Sequence, residues 1–561
     1  MTTALCRNSL KSFQWSLNVA KTAKDNIGTG AMEFVSCADE LPEGKKRTYS
    51  FKDAVFAGWA EDGGMLVPAV IPYVSIETLK DKWSKLSYPE LCYEIMRLYI
   101  AESEIPNADL KDIILNKSFS RFGHEGVVRV KEDVLGSGSQ SSSSRLHVAE
   151  LWHGPTLAFK DLGMQVLAQI LSYFLKQEKT TSEKESHLNL LVGTSGDTGS
   201  SAIEAVRQFD NISIVVLYPK GRGISLLQEL QMTTVGETDK NVKVIAVDGS
   251  SDDLDVPIES CFNDIEFKHK YNLGSVNSVN ICRVLVQVVH YFFSYLKICP
   301  LADRSSDIAF SIPTGAAGHL SAGVLACKMG LPVTHLHAAT NANDVLHRIL
   351  STGKTMPKVV DTDVVSTISP SMDILVPYNL ERLVYFATGG NSKLAKDLMG
   401  SFRATGKLSI SNDLRESLNS KLHIFSSSSS DQCAVEAIQK VYKGSSNKYV
   451  IDPHTAVGVS AALKNEALSN MKDIICMACA HPAKFEETTS KALLETGPNP
   501  KRIKMDAFWW LSPEDEDHDN IKGLMLLQGR VPVAEFYSSN EKQDWAKKLR
   551  KFYAESSSSN Q

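Results

Sequence analysis

The middle of the chain alternates between short apolar runs and helical patterns. Four of the runs look like buried strands, at 188–192, 212–218, 242–247 and 308–312. Most of them lead into a glycine-containing turn and then into apolar residues at helical spacing. This alternation predicts an α/β domain of the doubly wound kind, with a mainly parallel sheet and helices on both faces. Ligands of such domains bind beyond the carboxyl ends of the strands.

A motif before the first of these strands places a lysine at a helix start. In the segment ELWHGPTLAFKD, at 150–161, a turn that contains glycine and proline is followed by Lys160. Apolar residues then recur every four positions from 162 to 174, which predicts an amphipathic helix. The helix amide groups, together with the apolar Phe159 and Leu157, are expected to favour a free amine on Lys160. Such an amine is a nucleophile for aldehydes, although a lysine that only begins a surface helix would show the same pattern.

Two strand-to-helix turns are rich in glycine. The segment GTSGDTG lies at 193–199, and PTGAAGHL lies at 313–320. Their glycines allow close approach of a ligand, and their hydroxyl and amide groups can bind a carboxylate or a phosphate. Neither turn matches a dinucleotide fingerprint or a P-loop. Two anion sites and one activated lysine fit an aldehyde that also carries a phosphate, and pyridoxal 5'-phosphate (PLP) is the common one.

Six segments, taken in order, resemble motifs of the threonine synthase family of PLP-dependent enzymes. They are ELWHGPTLAFKD (150–161), GTSGDTGSSA (193–202), SVNSVNICRVLVQ (275–287), ISPSMDI (368–374), IDPHTAVG (451–458) and ACAHPAKF (478–485). The resemblance runs from about residue 32 to about residue 495. It implies the tryptophan synthase β-like fold, also called fold type II. It also implies that Lys160 is the Schiff-base lysine, which moves protons at Cα and Cβ of the substrate.

The resemblance assigns expected roles to further residues. The cofactor phosphate is expected at Gly315, Ala316, Ala317 and Gly318. The substrate is expected to face Thr194, Ser195, Gly196, Asp197 and Thr198. A substrate phosphate is expected to contact Asn277, Ser278 and Arg283, since a guanidinium group suits phosphate geometry.

A few residues in these motifs have two interpretations. Cys479 and Cys476 form a CxxC pair, but a zinc site needs a second pair of ligands. The resemblance instead implies that Cys479 contacts the pyridine nitrogen of the cofactor, where a thiol bonds weakly. Some other polar residues of the motifs are either site residues or structural residues whose hydrogen bonds are made within the fold, namely His153, Asp373, His454, Ser369 and Ser371.

The phosphate turn departs from the usual family pattern. Threonine synthases typically carry Asn-Phe between its glycines, whereas this chain has Ala316 and Ala317, followed by His319. This form resembles the threonine synthase-like proteins of animals, for which phospho-lyase chemistry is implied. The leading hypothesis is therefore elimination of phosphate from O-phosphohomoserine or O-phosphothreonine, giving 2-oxobutyrate, ammonia and phosphate. Synthesis of threonine from O-phosphohomoserine and water is the first alternative, and a non-catalytic cofactor-binding protein is the second.

Composition narrows the possible partners. The chain has 561 residues, of which 43% are hydrophobic and 22% are charged, with a net charge of -5. This length predicts more than one domain, and the absence of a dense basic block argues against nucleic acid. Ten cysteines without a framework spacing favour a reducing compartment. No uninterrupted apolar run reaches the ~18 residues of a membrane span, no metal site is expected, and the oligomeric state stays open.

Four regions are predicted along the chain. They are an N-terminal extension (1–31), a helix-rich domain (32–125), the PLP-binding α/β domains (126–495) and a C-terminal extension (496–561). The first 24 residues are basic and hydroxylated without an acidic residue, so the extension resembles a mitochondrial transit peptide; otherwise the protein is expected in the cytoplasm. Serine tracts at 137–144, 426–430 and 556–559 and the acidic run at 514–519 predict solvated loops or ends. The segment 541–554 predicts a charged amphipathic helix.

Overall fold

Three β-sheets organise the part of the chain that the structure describes. The structure is a computed structural model, and it describes residues 32–39, 46–136, 144–181, 187–221, 223–250, 252–302, 307–355, 364–494, 520–522, 526–527 and 530–558. The predicted N-terminal extension, most of the serine tract at 137–144 and the acidic run at 514–519 lie outside the described residues.

The strands form one small antiparallel sheet and two larger, mainly parallel sheets. They are β1 (Phe34–Ser36), β2 (Thr48–Tyr49), β3 (Leu66–Pro68), β4 (Arg129–Lys131), β5 (Arg145–Glu150), β6 (Leu188–Gly193), β7 (Ile212–Pro219), β8 (Val242–Val247), β9 (Leu273–Gly274), β10 (Ile308–Pro313), β11 (Leu336–Thr340), β12 (Ile424–Ser428), β13 (Asp473–Ala478) and β14 (Glu535–Tyr537). The sheet orders are β2-β1-β3, β12-β11-β10-β13-β5-β4 and β14-β8-β7-β6-β9. In the two larger sheets all neighbours are parallel except β4 and β5.

Helices cover both faces of the two parallel sheets. They are α1 (Phe51–Ala57), α2 (Ile76–Asp81), α3 (Tyr88–Met96), α4 (Asn107–Asp112), α5 (Lys160–Thr181), α6 (Asp197–Val206), α7 (Leu226–Gly236), α8 (Asp255–Asn263), α9 (Ile265–Lys270), α10 (Ile281–Ile298), α11 (Gly318–Lys328), α12 (Val345–Thr352), α13 (Leu380–Ala387), α14 (Ser392–Thr405), α15 (Asn412–Glu416), α16 (Asp431–Gly444), α17 (Pro453–Lys464), α18 (Glu466–Ser469), α19 (Glu486–Leu494) and α20 (Trp545–Ser558). Strand β7 shows why both faces need cover. Val216 packs into the largest core cluster, whereas Val215 packs into the cluster on the opposite face.

All four strands expected from the apolar runs are confirmed, but they do not form one sheet. Three of them, β6, β7 and β8, belong to the five-stranded sheet, and β10 belongs to the six-stranded sheet. The neighbours of β10 are β11 and β13, and β13 lies far away in sequence. Pairing over such a distance leaves no local pattern, which is why the sequence predicted one sheet where two exist.

The segment 32–125 contains α1 to α4 and also the small antiparallel sheet. Helical structure in the segment 51–68 ends at Ala57, and the chain then returns as β3 to pair with β1. The turn between them depends on Gly64, where a Cβ atom would lie 2.2 Å from Ser36 Oγ. Gly64 therefore lets the turn before β3 lie close to Ser36.

Two long helices, α5 and α10, lie at the centre of the molecule. The predicted helix after Lys160 is confirmed as α5, but the exposed polar face of an amphipathic helix is absent from Lys160 to Leu175, where every side chain is buried or half-buried. The helices approach closely at Gly163, where a Cβ atom would lie 3.6 Å from Arg283 Cα. By length and composition α10 could cross a membrane, but 89% of it is buried inside the fold. Its apolar side chains pack in the core of the protein.

The serine tract at 426–430, which was expected to be a solvated loop or end, is structured, and so is the C-terminal segment that was predicted to be a helix. The serine tract at 426–430 completes β12 with Ser426 to Ser428, and Ser430 caps α16 by accepting a hydrogen bond from Cys433 N–H. The predicted C-terminal helix is confirmed as α20, and β14 just before it adds a parallel strand to β8. Side chains of α20 fill the core on the outer face of the five-stranded sheet, namely Trp545, Leu549 and Tyr553.

Truncating Leu549 tests whether α20 is part of this core. Leu549 is fully buried, so Leu549→Ala is expected to lower the free energy of unfolding by about 2–5 kcal/mol in urea titrations. Lys547→Ala on the exposed side of the same helix is the matched control and is expected to change it by less than about 0.5 kcal/mol. Equal stability of the two variants would show that α20 does not contribute to the core.

Candidate active site

A cavity of about 170 Å³ lies beyond the carboxyl ends of strands from both parallel sheets. The segments after β5, β6, β10 and β13 line it, as expected for a parallel α/β fold. All the predicted site residues except Gly196 line this cavity, namely Lys160, Thr194, Ser195, Asp197, Thr198, Asn277, Ser278, Arg283, Gly315, Ala316, Ala317, Gly318 and Cys479. Segments that are distant in sequence therefore meet where the sequence predicted a ligand.

The turn before Lys160 is fixed by Asp161. The Asp161 carboxylate accepts hydrogen bonds from Thr156 N–H at 2.8 Å and from Thr156 Oγ1 at 2.7 Å. A Cβ atom at Gly154 would lie 2.4 Å from Asp161 Cβ, so the motif needs glycine there. Leu157 adopts a left-handed backbone with φ 58°, a conformation that the surrounding contacts must hold. Lys160 thus starts α5 from a rigid turn.

Lys160 is mostly buried, with 14% of its side chain exposed. Burial lowers the pKa of its ammonium group, and the nearby cations Arg283 and Lys484 act in the same direction, whereas Asp197 opposes them. Its Nζ lies 5.0 Å from the centre of the Phe159 ring. The pKa shift confirms the expected direction, and burial is its main cause.

The Asp197 carboxylate lies next to Lys160 and is buried among two hydrogen-bond donors and two lysines. Gln228 Nε2 lies 2.9 Å and Lys484 Nζ lies 2.8 Å from Oδ1. Ser371 Oγ lies 3.3 Å and Lys160 Nζ lies 3.8 Å from Oδ2. Burial raises the pKa of Asp197, but Lys484 and Lys160 outweigh burial and hold that pKa well below its ordinary value. Asp197 is therefore an anion paired mainly with Lys484.

The glycine turn at 193–199 is closed by one hydroxyl group. Thr194 Oγ1 accepts hydrogen bonds from the N–H groups of Gly196 and Gly199, each at 2.9 Å. Gly196 has φ 134°, and a Cβ atom there would lie 2.6 Å from the Gln228 side chain. Gly196 is thus needed for the shape of the turn, and its neighbours face the cavity.

The second glycine turn presents backbone groups to the cavity. Ala317 has φ 62° and precedes α11 without a side-chain cap. The carbonyl of Ala316 accepts hydrogen bonds from Asn379 N–H at 3.1 Å and Asn379 Nδ2 at 2.9 Å. A Cβ atom at Gly315 would lie 3.1 Å from Met372 Cα. The first amide groups of α11 are therefore available to an anion.

Helix α10 and the segment just before it contribute buried polar groups to the same cavity. Arg283 is buried, and burial lowers its pKa to about 10. Its Nε has no hydrogen-bond partner within the described structure, nor do Asn277 Oδ1 and Gln287 Oε1. Ser278 Oγ accepts a hydrogen bond from an asparagine side chain at 3.1 Å. Buried polar atoms without partners suggest a ligand that supplies them.

The thiol of Cys479 faces the cavity as a neutral group. Burial raises its pKa well above the ordinary value. Its backbone N–H donates to Thr455 Oγ1 at 3.0 Å, and its Sγ lies 3.8 Å from the carbonyl of Met477. Cys476 is also a free, buried thiol, so the CxxC pair is not joined.

The residues with two interpretations separate into two groups. His454 and Ser371 line the cavity. Asp373 lies outside the lining and instead binds surrounding side chains, including Thr367 Oγ1 at 2.6 Å. Ser369 accepts a hydrogen bond from an asparagine at 3.0 Å, and His153 Nε2 lies 3.2 Å from a carboxylate of Glu150. Geometry favours structural roles for Asp373, Ser369 and His153.

Sequence reasoning missed three residues around Lys160. Lys484 and Gln228 both bind Asp197, and His319 lines the cavity with its ring stacked on Phe159 at 5.4 Å between centroids. Burial lowers the pKa of His319 to about 3, so its ring is neutral. A signal for Lys484 existed, since it is the one charged residue of the otherwise apolar segment 478–485 that follows a buried strand.

Two family models match the chain. "Threonine synthase N terminus" matches residues 42–119, and "Threonine synthase, C-terminal" matches residues 455–534. The second match extends past residue 495, where the resemblance was expected to end. The family therefore includes part of the segment that was predicted to be an extension.

Curated relatives match most of the chain. Threonine synthase of Saccharomyces cerevisiae is 39% identical over 464 residues, which are 80% of this chain and 87% of that protein. Threonine synthase-like 2 of Mus musculus is 40% identical over 446 residues, which are 79% of this chain and 86% of that protein. The chain is thus equally similar to a threonine synthase and to a threonine synthase-like protein.

Solved structures share the fold. Threonine synthase from yeast has a TM-score of 0.77 and 34% identity, and the match covers 94% of this chain and 99% of that one. The PLP-bound threonine synthase from Brucella melitensis has a TM-score of 0.73 and 30% identity, with coverage of 92% and 99%. These matches confirm the predicted fold. The chain belongs to the threonine synthase family.

Proposed function

We propose that this protein eliminates phosphate from O-phosphohomoserine or O-phosphothreonine to give 2-oxobutyrate, ammonia and phosphate. Family membership supports the general reaction, which is PLP-dependent release of phosphate from a phosphorylated amino acid. The specific products are our proposal. With O-phosphohomoserine the atoms balance when one water is consumed, because the enamine left after phosphate departure hydrolyses to the oxo acid and ammonia.

The cavity residues fit PLP. The start of α11 offers backbone amides to a phosphate, and a side chain at Gly315 would be crowded by Met372. Lys160 offers an amine whose pKa is lowered. The neutral thiol of Cys479 suits a pyridine nitrogen that stays unprotonated. PLP would be held by these groups, and when bound it supplies an electron sink for the substrate carbanion.

The protein's own residues then carry out the proton transfers and hold the substrate. Lys160 removes the proton from Cα, and the lowered pKa of its amine makes it suitable as the base. Arg283 can bind an anionic group of the substrate through its guanidinium, because its Nε has no other partner among the described residues. Asn277 Oδ1 and Gln287 Oε1 can accept hydrogen bonds from the substrate ammonium. The buried walls exclude water during these steps.

One observation supports elimination over hydration, namely that three potential bases of the cavity are either already bound to other groups or only weakly basic. Nδ1 of His454 lies 2.9 Å from Asp452, and its Nε2 accepts a hydrogen bond from Ser371 N–H. His319 is neutral, with its pKa lowered to about 3 by burial, and the Asp197 anion is already ion-paired. These groups are poorly suited to activate a water molecule for addition.

Threonine synthesis is the second candidate. It is favoured by the relative from Saccharomyces cerevisiae, which is named a threonine synthase and matches 80% of this chain. Both reactions share the loss of the Cα proton and of phosphate. They differ only in whether water adds to the bound product before it leaves.

The products of O-phosphohomoserine distinguish the two reactions. We expect phosphate and 2-oxobutyrate to form in equal amounts, with little threonine, because His454, His319 and Asp197 are poorly suited to activate a water molecule. Phosphate release and chromatography of the organic products measure both. Threonine as the main product would refute the lyase proposal.

Ala316 offers a test of the phosphate turn. Ala316 is half-buried and lines the cavity, so Ala316→Asn introduces an amide that can hold a water molecule. We expect the fraction of substrate converted to threonine to rise in this variant. Ala316→Leu is the matched control, because it adds similar bulk without hydrogen-bonding groups. If the fraction converted to threonine rises in both variants, the added bulk and not the amide group is the cause.

Removing the Lys160 amine should abolish turnover. We expect Lys160→Ala to slow phosphate release by about 10² to 10⁴ or more, because it loses the general base. The absorbance of the lysine-bound cofactor should also disappear. Lys176→Ala, an exposed position on the same helix, is the control and should keep both properties. Phosphate release by Lys160→Ala at the wild-type rate would contradict the assigned role.

A further inference from the structure

Lys484 lies in the core without reaching the cavity. It belongs to a 3₁₀ turn, Pro482–Phe485, between β13 and α19. Its side chain is fully buried, and its Nζ lies 2.8 Å from Asp197 Oδ1. It is not among the residues that line the cavity. Lys484 can therefore act on the reaction only through another group.

Two lysines compete for the Asp197 carboxylate. Lys484 Nζ lies 2.8 Å from one oxygen, and Lys160 Nζ lies 3.8 Å from the other. Gln228 and Ser371 donate hydrogen bonds to the carboxylate. A buried carboxylate needs a cation close by. Because Lys484 supplies that cation, Lys160 is not needed as the counter-ion.

We propose that Lys484 is a positioning residue, which holds Asp197 as its own ion-pair partner and so leaves the Lys160 amine free to react. This inference rests on the proposed function, in which Lys160 reacts as an unprotonated amine. Without Lys484, the closest remaining cation to Asp197 would be Lys160. The carboxylate would then hold a proton on the Lys160 amine and remove its lone pair from the reaction.

Other charged and titratable groups also surround the two lysines and Asp197. Arg283 on α10 and Cys479 after β13 act on Lys160, and Arg283 favours its neutral form. His454 on α17 faces Asp197 and favours the carboxylate anion. Asp161 lies near Lys484, but its carboxylate is bound by Thr156. None of these groups lies as close to Asp197 as Lys484 does.

The test is the pH dependence of the reaction of Lys160 with PLP. Full-length protein freed of bound cofactor is mixed with PLP, and absorbance follows formation of the C=N bond, in which the amine replaces the aldehyde oxygen and one water leaves. Lys484→Met keeps the apolar length of the side chain and removes its charge. At neutral pH we expect the reaction to be about tenfold slower in this variant, with the rate profile moved to higher pH.

Two further variants separate electrostatics from damage to the fold. Asp197→Asn leaves Lys484 in place and should move the profile to lower pH, opposite to Lys484→Met. The double variant Lys484→Met/Asp197→Asn removes both charges and should return the profile towards wild type. Lys491→Met, at an exposed lysine on α19, is the control and should match wild type.

The outcomes are distinct. A Lys484→Met profile that coincides with wild type would overturn the inference. If Lys484→Met does not fold, Asp197→Asn carries the test, and an unchanged profile in that variant would overturn the inference as well. Wild-type protein that forms no C=N bond with PLP at any pH would instead overturn the proposed function.

Discussion

The buried carboxylate of Asp197 is the constraint on which the site depends. It begins α6 after a strand of the five-stranded sheet, whereas Lys160 and Lys484 come from segments that follow strands of the six-stranded sheet. An anion without water must be matched by cations and donors at close range. The two sheets can therefore meet at this edge in few arrangements. The ion pair fixes the positions of the reactive groups as well as their charges.

Rigid elements transmit that constraint to the cavity. Lys160 is placed by a turn that Asp161 holds and by a helix that is buried along most of its length. Arg283 reaches the cavity from α10, which packs closely against α5 at Gly163. Groups on packed helices lose little further conformational freedom when a ligand binds. The cavity is accordingly prepared before substrate arrives.

Patterns within short stretches of the sequence predicted the features of the structure that depend on neighbouring residues. The strands, the start of α5 and the lowered pKa of Lys160 follow from apolar spacing and burial within short segments. The division into two sheets does not, because β10 pairs with β13 across a long stretch of chain. The serine tract at 426–430 was misjudged because its strand is set by pairing with β11 rather than by side-chain hydrophobicity. Lys484 was missed because its meaning depends on Asp197, which is remote in sequence.

Strand β14 has a consequence for how the protein is made. It pairs with the outer side of β8 although slightly more than half of the chain separates the two strands. During synthesis β8 emerges early and its outer backbone groups then lack a strand partner, and an open strand edge of this kind attracts other chains. The five-stranded sheet is completed only when Glu535–Tyr537 has left the ribosome. The interval between those two events sets how long the nascent chain needs protection from aggregation.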